Sequence, residues 1–240
     1  MEYIEQLQKI IDESQKIVFF GGAGVSTESG VPDFRSQDGL YNLKYKYPPE
    51  EIISHDFFFE NTAEFYRFYC DKMLYPEAQP NAAHKFLARL EQAGKLTAVI
   101  TQNIDGLHQA AGNKKVYELH GSVHRNYCMS CGAFYALDYI TAQNGKVPRC
   151  KCGGLIKPDV VLYGEGLDGD IINGAVEAIE KADTLIVGGT SLTVYPAAGF
   201  INFFRGKNLV IINRDPTPAD KTATLLINAP IGETFSKIKI

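Results

Sequence analysis

The chain of 240 residues contains no apolar run approaching the roughly 18 residues a membrane-crossing helix requires, so no membrane span is expected. It has no basic excess. Its 24 Lys and Arg stand against 28 Asp and Glu, a formal net charge of −4. The field of such a molecule does not favour nucleic acid or anionic membrane as a partner. The first residues lack a basic segment followed by an apolar core. Instead Ile4, Leu7, Ile10 and Ile11 recur at helical spacing among acidic residues, so an amphipathic helix over 2–13 is expected and an export signal is not. No internal repeat and no low-complexity tract occurs. Cysteine is scarce. The five present are an odd number with four in two tight pairs, which points away from disulfides and toward a reducing cytoplasm and a metal site.

What is present is an ordinary globular composition, 45% hydrophobic and 22% charged, in a length that suits one large domain or a large domain with a small insert. Apolar strand-like runs at 16–20, 96–100, 116–119, 184–187, 208–212 and 225–227 alternate with helical patterns. One helix opens with Asn81 as N-cap and ends at Gly94; another covers 170–181. Alternation of this kind predicts an α/β fold, a doubly wound parallel sheet. Between Ser36 and about Tyr75 aromatic residues are dense, including Tyr41, Tyr45, Phe57, Phe58, Phe65, Tyr66 and Tyr69. A loop and short helices lying over the site are expected there, most of the rings forming a small helical core. Cys70 has no partner in sequence and is expected to be an inert thiol.

The chain is organised around Gly21–Arg35. The apolar run 16–20 is followed by Gly22-Ala23-Gly24, then Ser and Thr residues, then Pro32-Asp33-Phe34-Arg35. Glycines permit a sharp turn and close approach to an anion, and N–H groups opening a following helix can bind a diphosphate. Such turns often do no more than reverse the chain. Packing gives no reason for the Pro-Asp-Phe-Arg continuation. Thr101-Gln102-Asn103-Ile104-Asp105 follows the strand at 96–100, and His120 ends the one at 116–119. Parallel sheets gather ligand groups at such strand ends. Asn103 and Asp105 also suit helix capping. A lone histidine is more often structural, but a neutral His120 beside the 102–105 cluster could take a hydroxyl proton. His55, His84, His108 and His124 lack that context and are expected to be structural or superficial. Gly189-Thr190-Ser191 and Asn213-Arg214-Asp215 look like contacts to the adenosine half of a dinucleotide, and either alone would equally be a strand-end turn. Cys128-x-x-Cys131 and Cys150-x-Cys152, eighteen residues apart, suit tetrahedral zinc in a structural role. The zinc would hold together an insert too small for its own core.

Together these stretches resemble the sirtuins, NAD-dependent protein deacylases, in their bacterial form. Gly22 to Ser26 and Ser29 to Arg35 are similar to the family's first motif. Thr101–Asp105, His120-Gly121, the four cysteines, Tyr163-Gly164-Glu165, Gly189–Ser191 and Asn213 follow in the family's order. The resemblance covers nearly the whole chain. It implies a single catalytic domain over 1–240: a Rossmann-like large part of about 1–35, 76–120 and 158–240, and a smaller domain from a helical insert of about 36–75 and a zinc-ribbon insert of about 121–157. It implies NAD as co-substrate and structural zinc. Gly22, Ala23, Gly24, Thr27 and Arg35 would serve the diphosphate and ribose, with Phe34 beside the nicotinamide. Gln102, Ile104 and Asp105 would line the nicotinamide pocket. Gly189, Thr190, Ser191, Asn213, Arg214 and Ile231 would meet the adenosine end. Asn103 would place water or ribose, and His120 would be the general base. Substrates would be acetyl-lysine proteins or peptides, bound near Gly164-Glu165 and Val194-Tyr195, and the products nicotinamide and O-acetyl-ADP-ribose.

A cytoplasmic monomer without nucleic-acid or membrane partners is expected. Family members that prefer acidic acyl groups carry Tyr-x-x-Arg in the helical insert. Here Tyr66 fits and Tyr69 stands at the arginine position, so acetyl is expected over succinyl, with longer neutral chains as the alternative. Protein ADP-ribosylation would use the same NAD site. A dehydrogenase fits less well, because Thr27 departs from G-x-G-x-x-G. A mere NAD sensor would not need Asn103 and His120.

Overall fold

A computed structural model describes residues 2–34, 39 and 46–240. The helix α1 (Glu2–Glu13) precedes β1 (Ile17–Gly21), after which come two three-residue 3-10 turns, Ala23–Val25 and Thr27–Ser29. A helical region follows: α2 (Pro49–Ile52), α3 (His55–Glu60) and α4 (Thr62–Lys72). Then come α5 (Ala82–Gln92), β2 (Leu96–Thr101), α6 (Leu107–Ala111) and β3 (Val116–Glu118). The cysteine-bearing segment comprises β4 (Gly121–Cys128), β5 (Phe134–Tyr135), α7 (Leu137–Thr141) and β6 (Ile156–Val160). The chain closes with α8 (Gly169–Lys181), β7 (Thr184–Gly188), β8 (Asn208–Ile212), β9 (Leu225–Ile227) and α9 (Ile231–Ser236).

Six strands form a parallel sheet in the order β3-β2-β1-β7-β8-β9. The unbroken apolar run of β1 follows from burial on both faces. Ile17 and Phe19 join a core with α1, α5 and α9, while Val18 and Phe20 join one with α8 and the 3-10 segment Ala197–Phe203. Asn81 caps α5 as its residue type suggests, its side chain accepting the N–H groups of Ala83 and His84. The same side chain donates to the Val25 carbonyl at 2.8 Å and to Ser29 Oγ at 3.0 Å, fastening the turn after β1.

The second sheet is antiparallel, three-stranded, ordered β5-β4-β6. It shares one buried cluster with the helical region: Phe57, Phe58, Phe65, Tyr66, Phe68 and Tyr69 pack with Val123, Leu137, Ile140 and Ile156. The cysteine-bearing segment therefore has a core beside its cysteine cluster, one shared with the helical region. Tyr66 donates its hydroxyl to the Ile156 carbonyl across that junction. Two expectations change. The helix expected after the glycines is a pair of 3-10 turns. The segment 121–160 holds the eight-residue strand β4; its irregular register, slipping between Ser122 and Asn126, hides the alternation that marks a strand.

Candidate active site

Reversal of strand order at β1 and β7 opens a crevice beyond the carboxyl ends of both strands. The register aligns those ends. Gly21 pairs with Thr101 on one side and Gly188 on the other, and Gly188 pairs with Ile212. A cavity of about 680 Å³ lies there. Every residue singled out above for NAD or catalysis lines it, except Arg35, which lies outside the described residues.

The glycines have a reason nearer than an anion. A Cβ on Gly24 would stand 2.8 Å from Gly189 Cα, and one on Gly22 would stand 2.9 Å from Thr190 Cβ. Their N–H groups donate to the Gly189 and Gly188 carbonyls, at 2.8 and 3.3 Å. The two strand-end turns thus clasp each other, and Gln102 Nε2 adds a bond to Thr190 Oγ1 at 3.1 Å. Thr27 Oγ1 donates to the Gly24 carbonyl. Ile231 begins α9 with a buried side chain against Gly188, so it bounds the cavity from the core side. Asn213 Nδ2 donates to the Asp215 carbonyl within its own turn, and Ser191 Oγ meets Thr193 Oγ1 at 2.8 Å. Arg214 lies 3.8 Å from the Asp33 carboxylate, joining the turn after β8 to the Pro32–Phe34 stretch.

Ser26, unassigned by sequence reasoning, is fully buried at the centre of the polar group. It donates to Asp105 Oδ2 at 2.6 Å and accepts from Asn103 Nδ2 at 3.0 Å. Asp105 Oδ1 accepts the Leu107 N–H, the first of α6, while its Oδ2 faces Ser26; the N-cap position itself is Gly106. Asn103 caps nothing; its own N–H goes to Thr101 Oγ1. Glu28, likewise unassigned, accepts the Gly232 N–H at 2.7 Å and ties the turn to α9. Their partners lie far along the chain, which sequence spacing does not reveal.

His120 Nδ1 sits 3.0 Å from the Gln102 carbonyl. A carbonyl only accepts, so Nδ1 carries the proton and Nε2 keeps its lone pair in the neutral ring. Burial holds the pKa below the usual 6.5, the Gln102 carbonyl acting in the opposite sense. The neutral ring thus presents Nε2 as a hydrogen-bond acceptor at a cavity lined largely by apolar surface.

The four cysteine sulfurs lie within 4.8 Å of one another. Cys128 and Cys152 are 3.5 Å apart, and Cys131 lies 3.6 Å from both Cys150 and Cys152. A tetrahedral zinc with bonds of about 2.3 Å needs sulfur separations near 3.8 Å, so the donor set fits the ion. The short Cys150-x-Cys152 pair reaches the cluster through a tight turn in which the Cys150 N–H donates to the Gly154 carbonyl. A Cβ on Gly154 would meet Cys128 Sγ at 2.7 Å. Cys70 is half-buried with its thiol pKa pushed up by burial, as an inert cysteine should be.

Tyr66 and Tyr69 do not border the cavity; both are buried in the shared core. Arg67 is exposed and paired with Glu64. Among the described residues the cations bordering the cavity are Lys72, 3.0 Å from Asp71, and Arg214. No described helix is long and apolar enough to cross a membrane.

Comparison with known proteins adds four findings. The model of the Sir2 family matches residues 22–196. A protein of Clostridium perfringens named NAD-dependent protein deacetylase is 59% identical over 239 residues, covering 98% of both chains. One of the same name from Clostridium acetobutylicum is 56% identical, covering 99% of this chain and 98% of its own. A solved Sir2 structure holding a deacetylated peptide and 3′-O-acetyl ADP ribose superposes with a TM-score of 0.90 at 41% identity, covering 98% of this chain and 96% of that one.

Proposed function

The chain belongs to the Sir2 family, and from that membership we infer that it is an NAD-dependent protein deacetylase acting on acetyl-lysine, with NAD as co-substrate and a structural zinc on Cys128, Cys131, Cys150 and Cys152. The observation that carries the assignment of roles is the arrangement of His120 on the Gln102 carbonyl beside the Ser26–Asn103–Asp105 network, all at one cavity.

NAD, when bound, supplies an electrophilic ribose carbon once nicotinamide departs. The residues then act as follows. Ala23, Thr27 and the clasped Gly22 and Gly24 turn hold the diphosphate region, with Arg35. Gly189, Thr190, Ser191, Asn213, Arg214 and Ile231 border the adenosine half. Gln102, Ile104 and Asp105 orient the carboxamide of nicotinamide, with Phe34 shielding the reacting sugar. Acylation turns the lysine ammonium into a neutral amide, which an apolar wall of Phe34, Val160 and Leu162 admits without the cost of burying charge. The acyl oxygen would bond to the ribose carbon that nicotinamide leaves; His120 Nε2 would then accept a ribose hydroxyl proton, so that this hydroxyl oxygen can bond to the acyl carbon as the lysine amine departs. Asn103 positions the water that completes the transfer, giving deacetylated lysine and O-acetyl-ADP-ribose.

We assign the Rossmann-like part to about 1–35, 76–120 and 158–240 and the small part to the remainder, and place the protein in the cytoplasm as a monomer. The deciding experiment is nicotinamide release on a panel of acyl-lysine peptides. His120→Ala should lower turnover by roughly a hundred- to ten-thousand-fold while NAD still binds. Near-normal deacetylation by that variant would overturn the assignment.

A further inference from the structure

The loop Thr101–Asp105 carries the residues assigned to nicotinamide, and one short segment of chain holds it by its carbonyls. Leu119 N–H donates to Thr101 O at 2.9 Å, His120 Nδ1 to Gln102 O at 3.0 Å, and Val123 N–H to Ile104 O at 3.0 Å. A second side chain adds the fourth contact: His124 Nε2 lies 3.0 Å from Asp105 O. Because that oxygen only accepts, Nε2 carries the proton, and it remains a donor whether the ring is neutral or protonated.

The β4–β6 ladder places His124 there. Ser122 faces Asp159 and Asn126 faces Pro158, so residues 123–125 are looped out of the pairing. The excursion frees Val123 and His124 to reach the loop. Arg125 anchors it, bonding Glu118 at 2.6 Å and Asp159 at 2.7 Å. The fit beneath His124 is close. Gly106 has φ of +72°, and a Cβ there would stand 2.7 Å from both Cδ2 and Nε2 of the ring. The carboxylate of Asp105 is fixed on the opposite side by Ser26 and Leu107. His124 is thus the contact that sets the peptide plane between Asp105 and Gly106.

We propose that His124 is a positioning residue of the nicotinamide pocket, its Nε2–H gripping the Asp105 carbonyl and so fixing the angle at which Asp105 meets the carboxamide of NAD and of free nicotinamide. The proposal rests on the reading of Asp105 as a nicotinamide-binding residue. Its surroundings make it a link between the cysteine-bearing sheet and the nucleotide pocket, since the looped-out residues belong to β4.

The test is steady-state kinetics on an acetyl-lysine peptide, with nicotinamide as inhibitor, for wild type, His124→Ala, His124→Gln and Asp105→Asn. Loss of one such bond should raise the KM for NAD and the nicotinamide inhibition constant roughly three- to tenfold in His124→Ala. The peptide KM should stay within about twofold, and His124→Gln, which keeps an N–H donor, should recover most of the loss. Two results would overturn the proposal: unchanged NAD and nicotinamide constants in His124→Ala, or a rise in all constants together that His124→Gln does not repair. If Asp105→Asn is impaired while His124→Ala is not, the role of His124 alone fails. If both behave as wild type, the reading of the nicotinamide pocket fails with it.

Discussion

His120 acts as a base only while neutral, and burial keeps it neutral to lower pH than a free imidazole. The acid limb of kcat/KM should therefore show an inflection below 6.5 that vanishes in His120→Ala; an inflection above about 7 in wild type would contradict the stated environment. Two other histidines make a separate claim on pH. His84 and His108 are buried, their ring centroids 4.7 Å apart. His84 Nδ1 accepts the Asn81 N–H, while its Nε2 and both nitrogens of His108 have no hydrogen-bond partner among the described residues. Burial pulls His84 down to about 4 against the opposing charge of Asp105, and pulls His108 well below 6.5, reinforced by His84. Folded-state values are depressed, so the unfolded chain takes up protons first. Stability from this pair should be complete above pH 6.5 and lost as pH falls toward 4, at up to about 1.4 kcal/mol per pH unit per ring. Urea midpoints across that range should fall less steeply in His108→Phe than in wild type. Equal slopes would show that the pair does not drive the loss.

At the scale of the element, the helical region corrects an inference about substrate. Tyr66 and Tyr69 are consecutive-turn neighbours on α4, and the whole of that face is spent on the core shared with β4 and β6. Neither reaches the cavity, so the absence of a carboxylate partner follows from the described lining: Lys72 beside Asp71, and Arg214 near Asp33. Acetyl-lysine peptide should be turned over at least tenfold faster than succinyl-lysine peptide, since among the described residues α4 brings no arginine to the cavity to pair with a charged acyl group. Equal rates would sink this expectation. The same comparison shows what a sequence can reveal. The runs 17–21, 184–188 and 208–212 announce themselves because buried parallel strands are apolar throughout. Asn81 and Gly94 mark the limits of α5 by local chemistry. The strand β4 was hidden because residues 123–125 break its period. Ser26, Glu28 and His124 were silent because their partners are Asp105, Gly232 and the Asp105 carbonyl, contacts made only by the folded chain. The glycine turn was recognised, yet for a secondary reason, since Gly22 and Gly24 are fixed first by Gly189 and Thr190.

For the whole molecule, the zinc cluster and the helical region stand or fall together, because one buried cluster contains both Cys128 and Cys150 and the rings of α3 and α4. Structural zinc contributes on the order of 10–16 kcal/mol in small zinc-finger peptides. Cys131→Ala, or a strong chelator, should therefore disorder more than the β4–β6 sheet. Protection of the α4 amides in hydrogen exchange should fall, and deacetylation should be lost. Retained α4 protection without zinc would show that the shared core is self-sufficient.

The position of β1 between β2 and β7 has a consequence for how the protein is made. During synthesis β1 is made long before β7, so one of its two edges stays open until Thr184–Gly188 has emerged from the ribosome. Over the interval between β1 and β7 the nascent chain carries an uncovered apolar strand, the kind of edge that other chains can join. Chains arrested before Thr184 should accordingly be cleaved readily by protease and retained by chaperones, whereas chains arrested well beyond Ile227 should be resistant. Early resistance would mean that the N-terminal half settles without its central neighbour.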